Sequence, residues 1–166
     1  LTSLIILILF FSFMLVPQAR RRVAGAITFD ETAKARIESW QKALLVFKEH
    51  FLIGVGFNTY RYSQESYGFF GNDQSLGGHS GAGSDSSLLL VAATTGIFGL
   101  GAFIWILISI WETVAKSSKR SFVALGALAS FIGLLVHSQF VNSLFFPQIM
   151  LLFWFFVGLV SLEIED

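Results

Sequence analysis

No cysteine occurs in the 166 residues, which excludes disulfides, thiol nucleophiles and thiolate metal sites and leaves the redox compartment open. Charge is scarce too. Asp, Glu, Lys and Arg make up 13% of the chain, and 11 basic against 11 acidic side chains leave no formal net charge. A chain without a basic excess has no bulk attraction to nucleic acid, so none is expected among its partners and each charge is read by position. Nor does the sequence begin with methionine: Leu1 leads straight into an apolar run with no basic segment ahead of it. That argues against an intact signal peptide, although Ala24-Gly25-Ala26 resembles a cleavage site. The pattern reads as a fragment cut inside or just before a membrane helix.

Apolar surface, by contrast, is abundant. Hydrophobic residues make up 54% of the chain, 19 of them phenylalanine, and the mean hydropathy is +0.70, values that place it among integral membrane proteins. A spanning helix needs roughly 20 apolar residues, and such runs occupy residues 1–16, 86–114, 121–138 and 144–162. The expected fold is an all-α polytopic membrane protein, with about four transmembrane helices and one large outer loop at 17–85. That loop holds eight of the 11 Lys and Arg and seven of the 11 Asp and Glu, too many for a simple connector.

Orientation follows from the short loops. Lys116, Lys119 and Arg120 lie between two apolar runs, whereas the turn from His137 to Phe146 has no Lys or Arg, so the positive-inside bias places the first in the cytoplasm and the large loop outside. Arg20-Arg21-Arg22 directly after the first run points the other way.

Within the loop, Thr28-Phe29-Asp30-Glu31 has the form of a capping box, predicting a helix over about 29–50. Ile37, Trp40, Leu44 and Phe47 recur at helical spacing and form its predicted apolar face, set to lie on the membrane or on the helix bundle. Gly54-Val55-Gly56 reads as a turn, and Gln64 to Gly83 as an irregular loop.

Several residues could carry chemistry. Arg36 and Arg61, with Arg20 to Arg22, supply guanidinium forks that pair with phosphate and keep their charge at any working pH; headgroup anchoring and ordinary ion pairing are the plainer roles. His79 and Asp85 flank the start of the second run, and either could serve as a general base, the histidine without tuning and the aspartate with a raised pKa. A solvated loop histidine and a helix cap at Ser84-Asp85-Ser86 are the plainer roles. Asp73, His79 and Asp85 match no known ligand spacing, so no metal is expected. His137, Gln139 and Asn142 form a polar group at an outer span end, lining a cavity or simply hydrated. Gly96-Ile97-Phe98-Gly99 resembles small-residue packing between membrane helices.

These residues resemble the C-terminal part of the O-antigen ligase and O-antigen polymerase family. The resemblance rests on Arg36-Ile37-Glu38-Ser39-Trp40, on Gly54-Val55-Gly56-Phe57-Asn58-Thr59-Tyr60, and on Asp85-Ser86-Ser87-Leu88 running into Thr94-Thr95-Gly96-Ile97-Phe98-Gly99-Leu100. It extends from about residue 30 to the end, with His137 and Pro147 in the final paired spans. Phe51 stands where the family often has proline, Asp85 occupies its histidine register and Thr94 its glutamate register. The resemblance implies a multi-pass glycosyltransferase of the cytoplasmic membrane with its active site on the outer face. It would take a glycan from a polyprenyl-pyrophosphate donor to a glycan or lipid-linked acceptor, without metal or cofactor. By position Arg36 would hold pyrophosphate and Asp85 would be the base, with His79 a displaced candidate. Arg61, Trp40, Tyr60, His137 and Asn142 complete the expected substrate-binding set. Ligase and polymerase are not told apart, and a non-enzymatic transport or binding subunit is the alternative of another class. A transporter should carry helix breaks or charges in mid-span, where only glycines occur.

Overall fold

Five α-helices and no strand form among the described residues; Ser86 and Ser121 cap two of them, and a glycine breaks one from within. The computed structural model describes residue 17 and residues 31–70, 83–119 and 121–165. The helices are α1 (Glu31–Glu49), α2 (Tyr60–Ser66), α3 (Ser87–Ser117), α4 (Phe122–His137) and α5 (Pro147–Glu165), with a 3-10 turn at Ser143–Phe145. The chain divides into two compact units, residues 1–38 and 39–166. In the first, the described part is mainly the beginning of α1, where Lys34 Nζ donates to Glu31 Oε1 at 2.8 Å on an exposed surface. Thr28 to Asp30 of the capping box lie outside the described residues.

In the second unit, α3, α4 and α5 share a core of Ile110, Val114, Ala124, Phe131 and Val160. Ser121 begins α4, its hydroxyl accepting from the main-chain N–H groups of Val123 and Ala124. A second cluster joins α1 and α2 to the start of α3 through Ala43, Val46, Tyr60 and Ala93. The side of α1 that packs on the protein is not the stripe of Ile37, Trp40, Leu44 and Phe47. Ala43 and Val46 are its buried residues, Leu44 is 40% exposed, and Trp40 and Phe47 are only half-buried. The small side chain of Ala43 lets helices approach closely; the bulkier stripe is left outward.

Gly96 interrupts α3 with φ 66° and ψ −164°, a conformation open in practice to glycine alone. A break in a helix frees main-chain groups that need partners where water is scarce. The turn after α1 supplies them. Val55 N donates to Ala93 O at 3.0 Å, Gly56 N to Thr94 O at 2.8 Å, and Ile97 N to Phe51 O at 2.8 Å. The expected turn at Gly54-Val55-Gly56 is present, and it is threaded into the break. Gly96 thus serves a crossing of loop and helix main chains, a role different from the small-residue helix packing expected of it.

The break also changes how α3 counts as a span. A straight helix of 31 residues would be about 46 Å long. Yet Ser121 N donates to Ser117 O at one end of α4, and Ser87 N donates to Ser138 O at the other, with only the 16 residues, or about 24 Å, of α4 between. The limb 87–95 therefore turns back towards the end of α4, while residues 97–117, about 32 Å long, match a hydrocarbon core of about 30 Å. By length and composition α3 is the one described helix able to cross a membrane, and the apolar stretches Phe122–His137 and Pro147–Leu162 are shorter. The expected first span at 1–16 lies outside the described residues.

Candidate functional site

Four serines organise the start of α3. Ser86 is the N-cap, with extended φ and ψ, and its hydroxyl accepts from Leu89 N at 3.4 Å. Ser84 Oγ accepts from Ser86 N at 3.4 Å, and Ser39 Oγ on α1 accepts from Asp85 N at 3.0 Å. Ser87 Oγ donates to Asn142 Oδ1 at 3.2 Å and accepts from Leu144 N at 3.3 Å. The capping role considered for Asp85 thus falls to Ser86. Asp85 is held by its main chain between α1 and α3, and its carboxylate is not the cap.

That carboxylate acts on Tyr60. The Tyr60 phenol is 2% exposed, and burial first, with the nearby charge of Asp85 second, pushes its pKa well above the ordinary tyrosine value. Tyr60 therefore remains a neutral hydroxyl beside an acidic residue. Its oxygen has no hydrogen-bond partner among the described residues, and the same holds for Trp40 Nε1, Gln64 Oε1 and Ser143 Oγ, all buried. Leaving a buried polar atom unpaired costs about 1–3 kcal/mol. Four such atoms gather on the elements around the start of α3, and the tilted contact of Trp40 with Phe140 at 5.9 Å links α1 to the α4–α5 turn.

The other expected residues are dispersed. Arg36 is half-buried on the part of α1 that belongs to the first unit. Arg61 is half-buried on α2, its guanidinium 5.4 Å from the ring centre of Tyr62. His137 is exposed at the end of α4 and lines an apolar cavity of about 400 Å³ with Phe131, Leu134, Leu152 and Phe153. Asn142 is a strut for Ser87, and Gln139 Nε2 donates to Leu135 O and Ser138 Oγ. Thr94, in the glutamate register, is buried and donates to Leu90 O at 2.7 Å, a bond back to its own helix. His79, Asp73 and Arg20 to Arg22 lie outside the described residues. Among the described residues no group of three His, Asp or Glu could hold a metal ion.

Two participants escaped the sequence reading. Gln64 falls on α2, which occupies part of what reads as irregular loop, and its placement four residues after Tyr60 puts both on one helix face. Ser39 had no signal, because a hydroxyl bound to a distant main-chain N–H leaves no local pattern.

The sequence model of one protein family, described as O-antigen ligase, matches residues 1–104. The match takes in the loop, the start of α3 and its break, and it ends before α4. No curated protein matches, and no solved structure does.

Proposed function

Because the chain belongs to the O-antigen ligase family, whose role is membrane glycosyltransferase-like, we propose that it moves a glycan from a polyprenyl pyrophosphate to an acceptor hydroxyl. The reaction takes place at the outer face of the cytoplasmic membrane. One observation carries this reading: Asp85 is relieved of capping by Ser86 and pinned by Ser39 beside the buried hydroxyl of Tyr60, at the start of an apolar helix.

In this reaction the acceptor hydroxyl gives its proton to the Asp85 carboxylate as its oxygen attacks the anomeric carbon. The bond from that carbon to the pyrophosphate oxygen breaks, and the pyrophosphate leaves with the electron pair. Arg36 pairs with the leaving group through its planar fork. His79 is the competing base, because imidazole is the side chain whose ordinary titration range spans neutrality. A repeat-unit polymerase would use the same groups with a different acceptor.

The transport alternative loses support at the helix break at Gly96. Discontinuous helices in transporters offer freed carbonyls to ions or substrate, whereas Ala93 O and Thr94 O accept from Val55 N and Gly56 N. Transfer from a polyprenyl-linked oligosaccharide, followed with the full-length protein in membranes, tests the proposal. Turnover that survives both Asp85→Asn and His79→Gln removes both bases from it.

A further inference from the structure

The limb 97–117 of α3 is long enough to cross a bilayer, but its last turns are not apolar. Lys116 Nζ lies 3.8 Å from Glu112 Oε2, and both side chains are more than half exposed. An exposed ion pair belongs among headgroups, because charge is costly in hydrocarbon. That leaves residues 97–111, about 22 Å long, for a hydrocarbon core of about 30 Å. At the Gly96 end about 8 Å of the core is still unmatched.

The turn between α1 and α2 stands at that end. Phe51-Leu52-Ile53-Gly54-Val55-Gly56-Phe57 holds no charge and no polar side chain. Ile53 and Phe57 are 77% and 84% exposed, Phe51 and Leu52 are exposed as well, and so is Phe98 at the start of the limb. The bond from Ile97 N to Phe51 O joins turn and limb into one outward apolar surface, a feature that marks contact with a membrane or a partner. The main chain favours the membrane. Irregular backbone stands at membrane depth only where its polar groups are paired within the protein. Here Gly54 N donates to His50 O, Val55 N to Ala93 O and Gly56 N to Thr94 O, and Phe51 O accepts from Ile97 N. Polar residues resume on both sides of the turn, with Lys48, Glu49 and His50 exposed before it and Asn58 exposed after it.

We propose that the turn 51–57 is inserted into the hydrocarbon of the leaflet beside Gly96, with Ile53 and Phe57 against lipid chains, and completes the depth that α3 leaves short. The occupant of this surface is lipid. Crossing α3 at Gly96 gives the turn the main-chain partners that water would otherwise supply, and it holds α2, whose Tyr60 packs with Ala93, at the membrane surface. Insertion requires α3 to span the bilayer and holds whatever reaction the protein performs.

Nitroxide labelling of the full-length protein in phosphatidylcholine–phosphatidylglycerol liposomes tests it, with any other cysteine replaced by serine. Ile53→Cys, Phe57→Cys and, on the exposed side of α2, Glu65→Cys are labelled one at a time. Collision rates are measured with oxygen, which concentrates in hydrocarbon, and with a water-soluble nickel chelate. Lipids carrying nitroxide in the upper acyl chain calibrate depth in the same vesicles. Ile53 and Phe57 are mostly exposed, so their replacement removes little packing. The oxygen-to-nickel ratio at both should shift away from the Glu65 value to that of the labelled lipids. A ratio at either position that stays at the Glu65 value puts the turn in water and overturns the insertion. Slow collision with both reagents and an immobilised spectrum put it under protein, a second copy or another segment, and overturn it as well.

Discussion

Gly54 and Gly96 cross main chain against main chain: a Cβ added to Gly54 would lie 2.3 Å from the carbonyl carbon of Thr94, and one added to Gly96 would lie 2.3 Å from that of Leu52. Both also have positive φ, 67° and 66°. This crossing fixes the turn after α1 against α3, and with it the position of α2, which carries Tyr60 and Gln64.

Alanine at either glycine is expected to be severe. Backbone strain of about 1–3 kcal/mol adds to an overlap with main chain that no rotamer change can relieve. Gly96→Ala and Gly54→Ala should each lower the thermal midpoint by several degrees or prevent accumulation. Gly101→Ala, where an added Cβ meets nothing within 4 Å, should leave both unchanged. Equal midpoints for all three would remove the crossing as a stabilising element.

Asp85→Asn should separate chemistry from folding. Ser86 keeps the cap and the main chain of residue 85 keeps its bond to Ser39, so the protein should still insert and accumulate while transfer falls by about 100- to 10,000-fold. Ser86→Ala should do the reverse, costing about 1 kcal/mol of stability with a smaller effect on turnover. If His79→Gln abolishes transfer and Asp85→Asn is mild, the base is His79.

Arg36→Lys should lose most transfer activity while the protein still inserts, since an ammonium cannot reproduce bidentate pairing with phosphate. Arg21→Lys should matter little if that cluster anchors to headgroups. Full turnover in Arg36→Lys returns Arg36 to an ordinary ion-pairing role.

Alkaline stability should report on Tyr60. Its pKa is higher folded than unfolded, so above about pH 10 the unfolded chain sheds a proton that the folded one keeps. The contribution is complete below that pH and is lost as pH rises through the folded value. Tyr60→Phe should therefore show a shallower loss of midpoint above about pH 10 than the parent. Tyr67, raised mainly by its hydrogen bond to Glu49 and also by burial and the charge of Glu49, needs a parallel Tyr67→Phe control. Identical alkaline profiles for the parent and Tyr60→Phe would contradict the buried neutral phenol.

Topology is open to direct labelling. Cysteine at Ser75 should react with an impermeant thiol reagent in whole cells and cysteine at Ser118 should not. The basic run Lys116 to Arg120 between apolar helices motivates that expectation. Labelling at Ser118 alone reverses it.

Composition and periodicity alone determined the all-helical class, the long apolar helix that begins near residue 86 and the presence of α1 ahead of the Gly54 turn, because apolar runs are local properties of the chain. The O-antigen ligase resemblance was likewise legible in short ordered motifs, and the family match supports it over residues 1–104. Only the tertiary structure decided which face of α1 is buried, since Ala43 and Val46 pack against Tyr60 and Ala93 from distant parts of the chain. The broken helix was equally out of reach. A glycine in an apolar run fits a straight helix or a break, and the choice at Gly96 depended on whether a distant turn could supply the hydrogen bonds that the break frees. The same holds at Asp85, where adjacent serines compete for one cap and the contact with Ser39, 46 residues away, settles the position of the main chain.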